Sequence, residues 1–322
     1  MKQAKLIFAT TSLAVCLVTT SSFSQTGMPL HATVAGVFEA STPCDDISKA
    51  IFEIPPGTKC EWMKWNLTLY QDAKNSAPST YKLVCRYGLP KQGTRDFMAG
   101  AETMELKGKW AIGKGTIENP GAVIYTLSVD NAAISLSFLK PDQNLLHLLD
   151  KDHRLMKGNG AWSYTLNRID PIPANSTGYT PQIIPQPVMA ADSLIVGVFE
   201  GRTPCDNVLR ELNSITATGC QIIKCHFILY QDAKTHMPST FLLQTIYVGK
   251  GNTTYSNTGK WMLTQGTKND PGALVYQLDF DKPQVSLALL KGDDNILFFL
   301  DKKRDFMVGN NYVSYTMNRV KK

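Results

Sequence analysis

Lys64-Trp65-Asn66-Leu67-Thr68-Leu69-Tyr70-Gln71-Asp72-Ala73-Lys74 is the stretch that decides the fold. Trp65, Leu67 and Leu69 fall on one side of an extended chain and Lys64, Asn66 and Thr68 on the other. Strict alternation ending in polar residues is a strand with one buried face running into a turn. Beyond the turn, Tyr81, Leu83, Cys85 and Tyr87 alternate with Thr80, Lys82, Val84 and Arg86, the returning strand of a hairpin. The same period marks Val123/Tyr125/Leu127, Ile134/Leu136/Phe138 and Trp162/Tyr164/Leu166, and residues 34–41 and 145–150 also read as strands. Turn signals such as Asn119-Pro120-Gly121 and Lys157-Gly158-Asn159-Gly160 separate the strands. One short helix is expected behind Asp45-Asp46, where Ile47, Ile51 and Ile54 keep helical spacing.

The quoted stretch occurs twice. Residues 69–74 return unchanged at 229–234, and Pro78-Ser79-Thr80 returns at 238–240. Gly36-Val37-Phe38-Glu39 with Thr42-Pro43-Cys44-Asp45 reappears as Gly197-Val198-Phe199-Glu200 with Thr203-Pro204-Cys205-Asp206. Gly108-Lys109-Trp110 matches Gly259-Lys260-Trp261, and Ser163-Tyr164-Thr165-Leu166-Asn167-Arg168 matches Ser314-Tyr315-Thr316-Met317-Asn318-Arg319. Val208, Leu212 and Ile215 repeat the helical spacing behind Asp206. The second copy is shortened opposite residues 88–108. Units this long are domains rather than solenoid repeats. The predicted organisation is a leader over 1–24, a barrel over 34–168, a proline-rich linker over 169–193 and a second barrel over 194–320. The fold class is all-β: two tandem antiparallel up-and-down barrels, each with one short helix, because closure removes exposed strand edges. A small sandwich is the alternative.

Composition narrows the function classes. The chain has 322 residues, 43% of them hydrophobic and 19% charged, which excludes a wholly disordered chain. A formal charge of +6 without a basic run gives no nucleic-acid signature. Lys2 and Lys5 precede an apolar run from Leu6 to Val18, and Ser22-Phe23-Ser24 offers a small-x-small cleavage site. That order is a secretory signal, too short to span a bilayer. Leu13-Ala14-Val15-Cys16 resembles a lipobox, but Val15 is a poor residue before the cysteine. Ordinary cleavage near Ser24 is therefore expected, with a lipid anchor at Cys16 as the alternative. The rest of the chain has no apolar run long enough to span a membrane, and it goes to an oxidising compartment: periplasm or cell envelope.

There the cysteines read as disulfides first. Cys44 with Cys60 aligns with Cys205 and Cys220, bracketing the helix in each copy, so a disulfide is expected in both; a metal-binding thiolate pair is the alternative. Cys85 and Cys225 have no counterparts and lie on apolar strand faces, as buried free thiols.

These landmarks carry a resemblance. Gly36/Phe38/Pro43/Cys44, Leu67/Leu69/Tyr70, Gly108/Trp110, Leu146/Leu149/Asp150 and Tyr164/Leu166/Asn167/Arg168, in that order and again in the second copy, resemble the N-terminal domain of the bacterial copper-resistance lipoprotein family NlpE. The resemblance implies a lipocalin-like barrel and roles in envelope-stress signalling, surface sensing and copper tolerance. In the lipocalin analogy, Phe38 with Arg168 and Phe199 with Arg319 meet where first and last strands close. The family's Pro-Cys-x-x-Cys lacks its second cysteine in both copies here, and the second domain is another barrel rather than the family's different one.

Catalysis would need a nucleophile–base or carboxylate constellation. The five histidines do not recur between copies, and no phosphate loop, His-Glu-x-x-His or Gly-x-Ser-x-Gly occurs. No enzyme activity and no cofactor is expected. Cys44, Asp45 and Asp46 are the weak metal candidates, though acidic residues at a helix start already suit its dipole. The inward set Trp65, Tyr81, Tyr125, Phe138 and Trp162 predicts a mostly filled interior. The expected function is a binding or sensing module of the envelope, whose partner is an envelope protein or a small ligand. A hydrophobic-ligand carrier and a copper-binding protein are the alternatives.

Overall fold

The computed structural model describes residues 32–130, 135–173, 182–183, 193–212, 219–251, 253–282 and 284–321. Residues 1–24, Cys16, His31, Ile134, Ile215 and most of the linker lie outside that set. In the first barrel, β1 (Ala32–Pro43) leads through α1 (Asp46–Ile51) to β2 (Trp62–Asp72), β3 (Pro78–Gly88), β4 (Glu102–Lys114), β5 (Val123–Val129), β6 (Ser135–Leu139), β7 (Leu145–Leu149) and β8 (Thr165–Arg168). Each strand pairs antiparallel with the next, and β8 returns to β1. After β9 (Gln182–Ile183), the second barrel repeats this order: β10 (Ser193–Pro204), α2 (Cys205–Glu211), β11 (Ile222–Asp232), β12 (Pro238–Tyr247), β13 (Thr254–Gln265), β14 (Leu274–Phe280), β15 (Ser286–Lys291), β16 (Ile296–Leu300) and β17 (Thr316–Lys321). The chain is therefore two tandem antiparallel up-and-down barrels. No helix among the described residues is long and apolar enough to cross a membrane.

Closure of the first barrel depends on very little backbone pairing: Phe38 opposite Arg168 and Glu39 opposite Asn167. Ile169 N adds one bond to Val37 O at 3.0 Å, and a side chain supplies the rest. The Arg168 guanidinium donates from Nη2 to Ala35 O at 3.0 Å and lies 5.7 Å from the Phe38 ring. It occupies a notch at Gly36, where β1 shifts register; a Cβ at Gly36 would come within 2.7 Å of Arg168 Nη1. The second barrel repeats the device, with Arg319 Nη1 donating to Val196 O at 2.8 Å and lying 4.7 Å from the Phe199 ring, over Gly197. A charged hydrogen bond beneath a strand end is worth about 2 kcal/mol.

Each short helix is pinned by a disulfide, Cys44–Cys60 and Cys205–Cys220. Loops of this length contribute about 3 kcal/mol by restricting the unfolded chain. The expected apolar stripe of α1 is only partly realised. Ile47 is exposed and Ile54 lies past the helix end, while Ser48, Phe52 and Ile54 are buried. In α2, Val208, Leu209 and the flanking Leu212 turn inward.

The linker is tied down at two places. Asn144 brackets Ile172, donating to its carbonyl at 2.8 Å and accepting from its N–H at 2.7 Å, and β9 pairs with β13. A free polyproline spacer would make neither contact.

Arg168→Ala is expected to destabilise the protein by about 2 kcal/mol in denaturant unfolding; an unchanged midpoint would show the strut to be dispensable. Thiol titration of the chain lacking residues 1–24, denatured without reductant, should find only Cys85 and Cys225; the four other cysteines reacting as well would show the disulfides absent.

Candidate functional site

The metal candidates do not converge. Cys44 is bonded to Cys60, and Asp45 is the N-cap of α1, accepting from Ser48 N at 2.9 Å and Ser48 Oγ at 3.0 Å. Asp46 is exposed in the first turn, where its charge suits the helix terminus. Cys85 and Cys225 sit inside their barrels, opposite Trp65 and Thr245. Burial pushes the Cys85 thiol well up and that of Cys225 to about 12, so both behave as small apolar groups rather than nucleophiles.

The barrel interiors are packed. Phe38, Trp65, Leu67, Tyr81, Leu83 and Phe138 fill the first, and Phe199, Phe227, Leu229, Phe241, Leu278 and Leu287 the second. The Tyr81 hydroxyl is buried with no hydrogen-bond partner among the described residues, and burial raises its pKa to about 12. Trp162 does not join this core. Its indole stacks on Trp62, centroids 5.6 Å apart, outside the barrel and beneath Arg202 of the second copy. The alternation that placed it inward ends before it, since β8 begins only at Thr165.

Concave surface lies on the outside. An open depression of about 370 Å³ is lined by Gly115, Thr116, Ile117, Pro120, Lys151, Asp152 and His153. A smaller one of about 110 Å³ lies on the second barrel, between Glu211, Gln277, Ser286, Asp301, Lys302 and Arg304. Burial raises the Glu211 pKa, with Lys302 at 3.6 Å opposing it, and Arg304 donates to Gln277 at 2.7 Å.

The most organised polar array is the seam between the copies. β7 and β16 are buried at every position, which a strand lining one barrel cannot achieve unless its outer face is covered too. Ile124, Leu149 and Leu155 of the first copy pack with Ile296 and Phe298 of the second. Each central residue meets its own counterpart: Ser163 Oγ lies 2.6 Å from Ser314 Oγ, and Thr165 Oγ1 lies 2.9 Å from Thr316 Oγ1. Self-matching of this kind defines a two-fold axis.

Two asparagines lock it. Asn167 accepts from Gly309 N at 2.8 Å and donates to Asn310 O at 3.1 Å; Asn318 does the same to Gly158 N and Asn159 O, at the same distances. Glycine is required at the receiving loops, because a Cβ at Gly158 would come within 2.2 Å of Trp162 O and one at Gly309 within 2.3 Å of Val313 O. The Asn-Arg ending of each copy thus has two roles: the arginine closes its own barrel, and the asparagine holds the other.

The symmetry is broken at chosen points. His147 faces Phe298, its counterpart, edge-on at 5.4 Å. Its Nε2 lies 3.0 Å from Met156 O, which can only accept, so Nε2 carries the proton. Nδ1 then accepts from Thr165, 2.9 Å away, and Thr165 Oγ1 accepts from Thr316. Burial drops the His147 pKa to about 4. The other break is the longer β3–β4 connection of the first copy. Phe97 packs on Trp62 at 4.5 Å, while Arg95 donates to Gln221 at 2.6 Å and lies 5.4 Å from the Tyr312 ring. That segment straps the first barrel to the second.

The remaining described histidines are dispersed. His153 takes a positive φ beside Gly115 O at 3.3 Å, His226 pairs with Glu200 at 3.0 Å, and His236 contacts Gln231 at 3.2 Å. The chain matches no protein-family model, no curated protein and no solved structure. Asn167 and Asn318 recur beside the arginines, but nothing in the local pattern marks them as links to the opposite copy.

Two outcomes follow from the seam. A histidine titrates near 6.5 when unfolded, so on acidification the unfolded chain takes up the proton first. His147 therefore does not weaken the fold above pH 6.5 and weakens it progressively down to about 4, by about 3 kcal/mol at the lower end. His147→Phe should flatten that part of the pH–stability curve measured in urea; a curve parallel to the parent would exclude the role. Asn167→Ala should cost about 2 kcal/mol, because it strands two half-buried backbone groups of the opposite copy; unfolding at the parent's denaturant midpoint would refute it.

Proposed function

We propose that the protein is a non-enzymatic binding or sensing module of the bacterial cell envelope, related to the copper-resistance and envelope-stress protein NlpE, and that it acts through its outer surface. The packed interiors carry this reading: with Phe38, Trp65, Leu67 and Phe138 filling one barrel and Phe199, Phe227 and Phe241 the other, recognition is left to the exterior. Two disulfides suit an oxidising compartment, in keeping with export directed by residues 1–24. The relation to NlpE rests on the ordered motifs of both copies. Copper tolerance would come through a partner rather than through Cys44, whose sulfur is already bonded.

The Tyr81 hydroxyl, buried without a partner among the described residues, favours a second reading: a carrier of a small ligand that offers an acceptor to that hydroxyl.

Two measurements separate these readings. The chain with and without residues 1–24 is expressed in a bacterium carrying an envelope-stress reporter. Induction only by the exported form is expected, and no induction, or equal induction by both, overturns the sensing role. Titration with palmitate should show no saturable binding; stoichiometric binding lost in Tyr81→Phe would establish the carrier instead.

A further inference from the structure

β4 and β13 each change partners halfway along. β4 pairs with β3 up to Lys109 and thereafter only with β5; β13 pairs with β12 up to Lys260 and thereafter with β14. In each barrel this leaves one edge of the strand's second half vacated. In the second barrel β9 fills it, Ile183 opposite Thr264 and Gln182 opposite Gln265. The equivalent residues of the first barrel are Gly113 and Lys114, and among the described residues no strand pairs with them there.

Hydrogen-bond polarity shows which groups are on offer. Gly115 N donates to Ala122 O across the β4–β5 turn. Alternation then directs Gly113 toward β5 and aims the N–H and C=O groups of Ile112 and Lys114 at the open edge. Exposure agrees. Residues 111–114 are all exposed, whereas Met262, Leu263, Thr264 and Gln265 are partly or fully buried. Ile112 lies on the same side of β4 as the buried Trp110, yet it is 54% exposed; its counterpart Leu263 packs against the core. Ile117 is exposed in the depression just beyond the strand end.

We propose that the open edge of β4 at Ile112 and Lys114 is a docking site for an extended segment of a partner polypeptide, which adds a strand there as β9 does in the second barrel. This deepens the binding-module reading, on which it rests, by giving the class of partner. Strand addition draws affinity from main-chain bonds and specificity from alternate side chains. An aliphatic residue would cover Ile112. An acidic residue is expected opposite Lys114, where the second barrel has Gln265 against Gln182. Lys109 and Lys114 with no acid between them make this part of β4 repel its own copy, so a second molecule of this chain is the poorer occupant.

The probe is a fluorescent peptide with the sequence of residues 179–186 carrying Gln182→Glu, titrated against the full chain. Saturable binding is expected, with slowed hydrogen exchange at the Ile112 and Lys114 amides. Lys114→Pro and Ile112→Pro should each weaken it at least tenfold at an unchanged melting temperature, since proline is tolerated where the N–H faces outward on an edge. No binding, or binding indifferent to both prolines, overturns the proposal. So does protection at 264–265 instead, which would mean exchange with β9, or a dimer in sedimentation that Ile112→Pro dissolves. Should the prolines unfold the barrel, hydrogen exchange on the unaltered chain decides alone. Failure here with the stress response intact would sink the edge and spare the module; peptide binding without a stress response would do the reverse.

Discussion

A strand buried on both faces needs two layers to cover it. β7 and β16 are such strands, buried at all of Leu145–Leu149 and all of Ile296–Leu300. One face of each lines its own barrel, and the opposite copy covers much of the other, alongside Leu155 in the first copy and Phe306 in the second. The rest of the arrangement follows from that requirement. It brings β8 and β17 alongside each other, sets Ser163 against Ser314 and Thr165 against Thr316, and places Asn167 and Asn318 within reach of the opposite loops. The paired hydroxyls and the two asparagines of this contact satisfy one another or the opposite backbone, as a dry environment demands.

Much of this architecture was legible in the chain. Alternation around Trp65, Leu67 and Leu69 specified half-buried strands, and the repeat specified two barrels. The recurring pairs Cys44/Cys60 and Cys205/Cys220 suggested a disulfide in each copy, and both are formed. Trp162 was misplaced because alternation assumes a core on one side and water on the other, and outside this barrel lies a second hydrophobic surface. Leu145-Leu146-His147-Leu148-Leu149 and Ile296-Leu297-Phe298-Phe299-Leu300 are continuous rather than alternating, the mark of strands covered twice. The strap could be seen as extra length opposite residues 88–108, but its destination depends on a contact with Gln221 and Tyr312 that no local pattern encodes.

The two copies divide labour through small differences on one frame. Residues shared by both (Gly36 and Gly197, Arg168 and Arg319, Asn167 and Asn318) hold the frame together. Apart from His147 and Phe298 at the seam, the differences stressed above lie at its margins: the strap in the first copy, the covering strand β9 in the second, and dissimilar depressions on the two outer walls. A barrel of this shape serves many chemistries, so function belongs to those margins.

The two-fold axis has a further consequence. Two separate molecules joined by such a contact would come apart on dilution, since their stability depends on concentration. A covalent connection makes the association intramolecular and independent of how much protein is present. It also lifts a restriction. On the axis of a homodimer every residue meets its own twin, so position 147 could offer only imidazole to imidazole or phenyl to phenyl. Joined in one chain, the halves set His147 against Phe298, a pairing that no pair of identical subunits related by that axis can make.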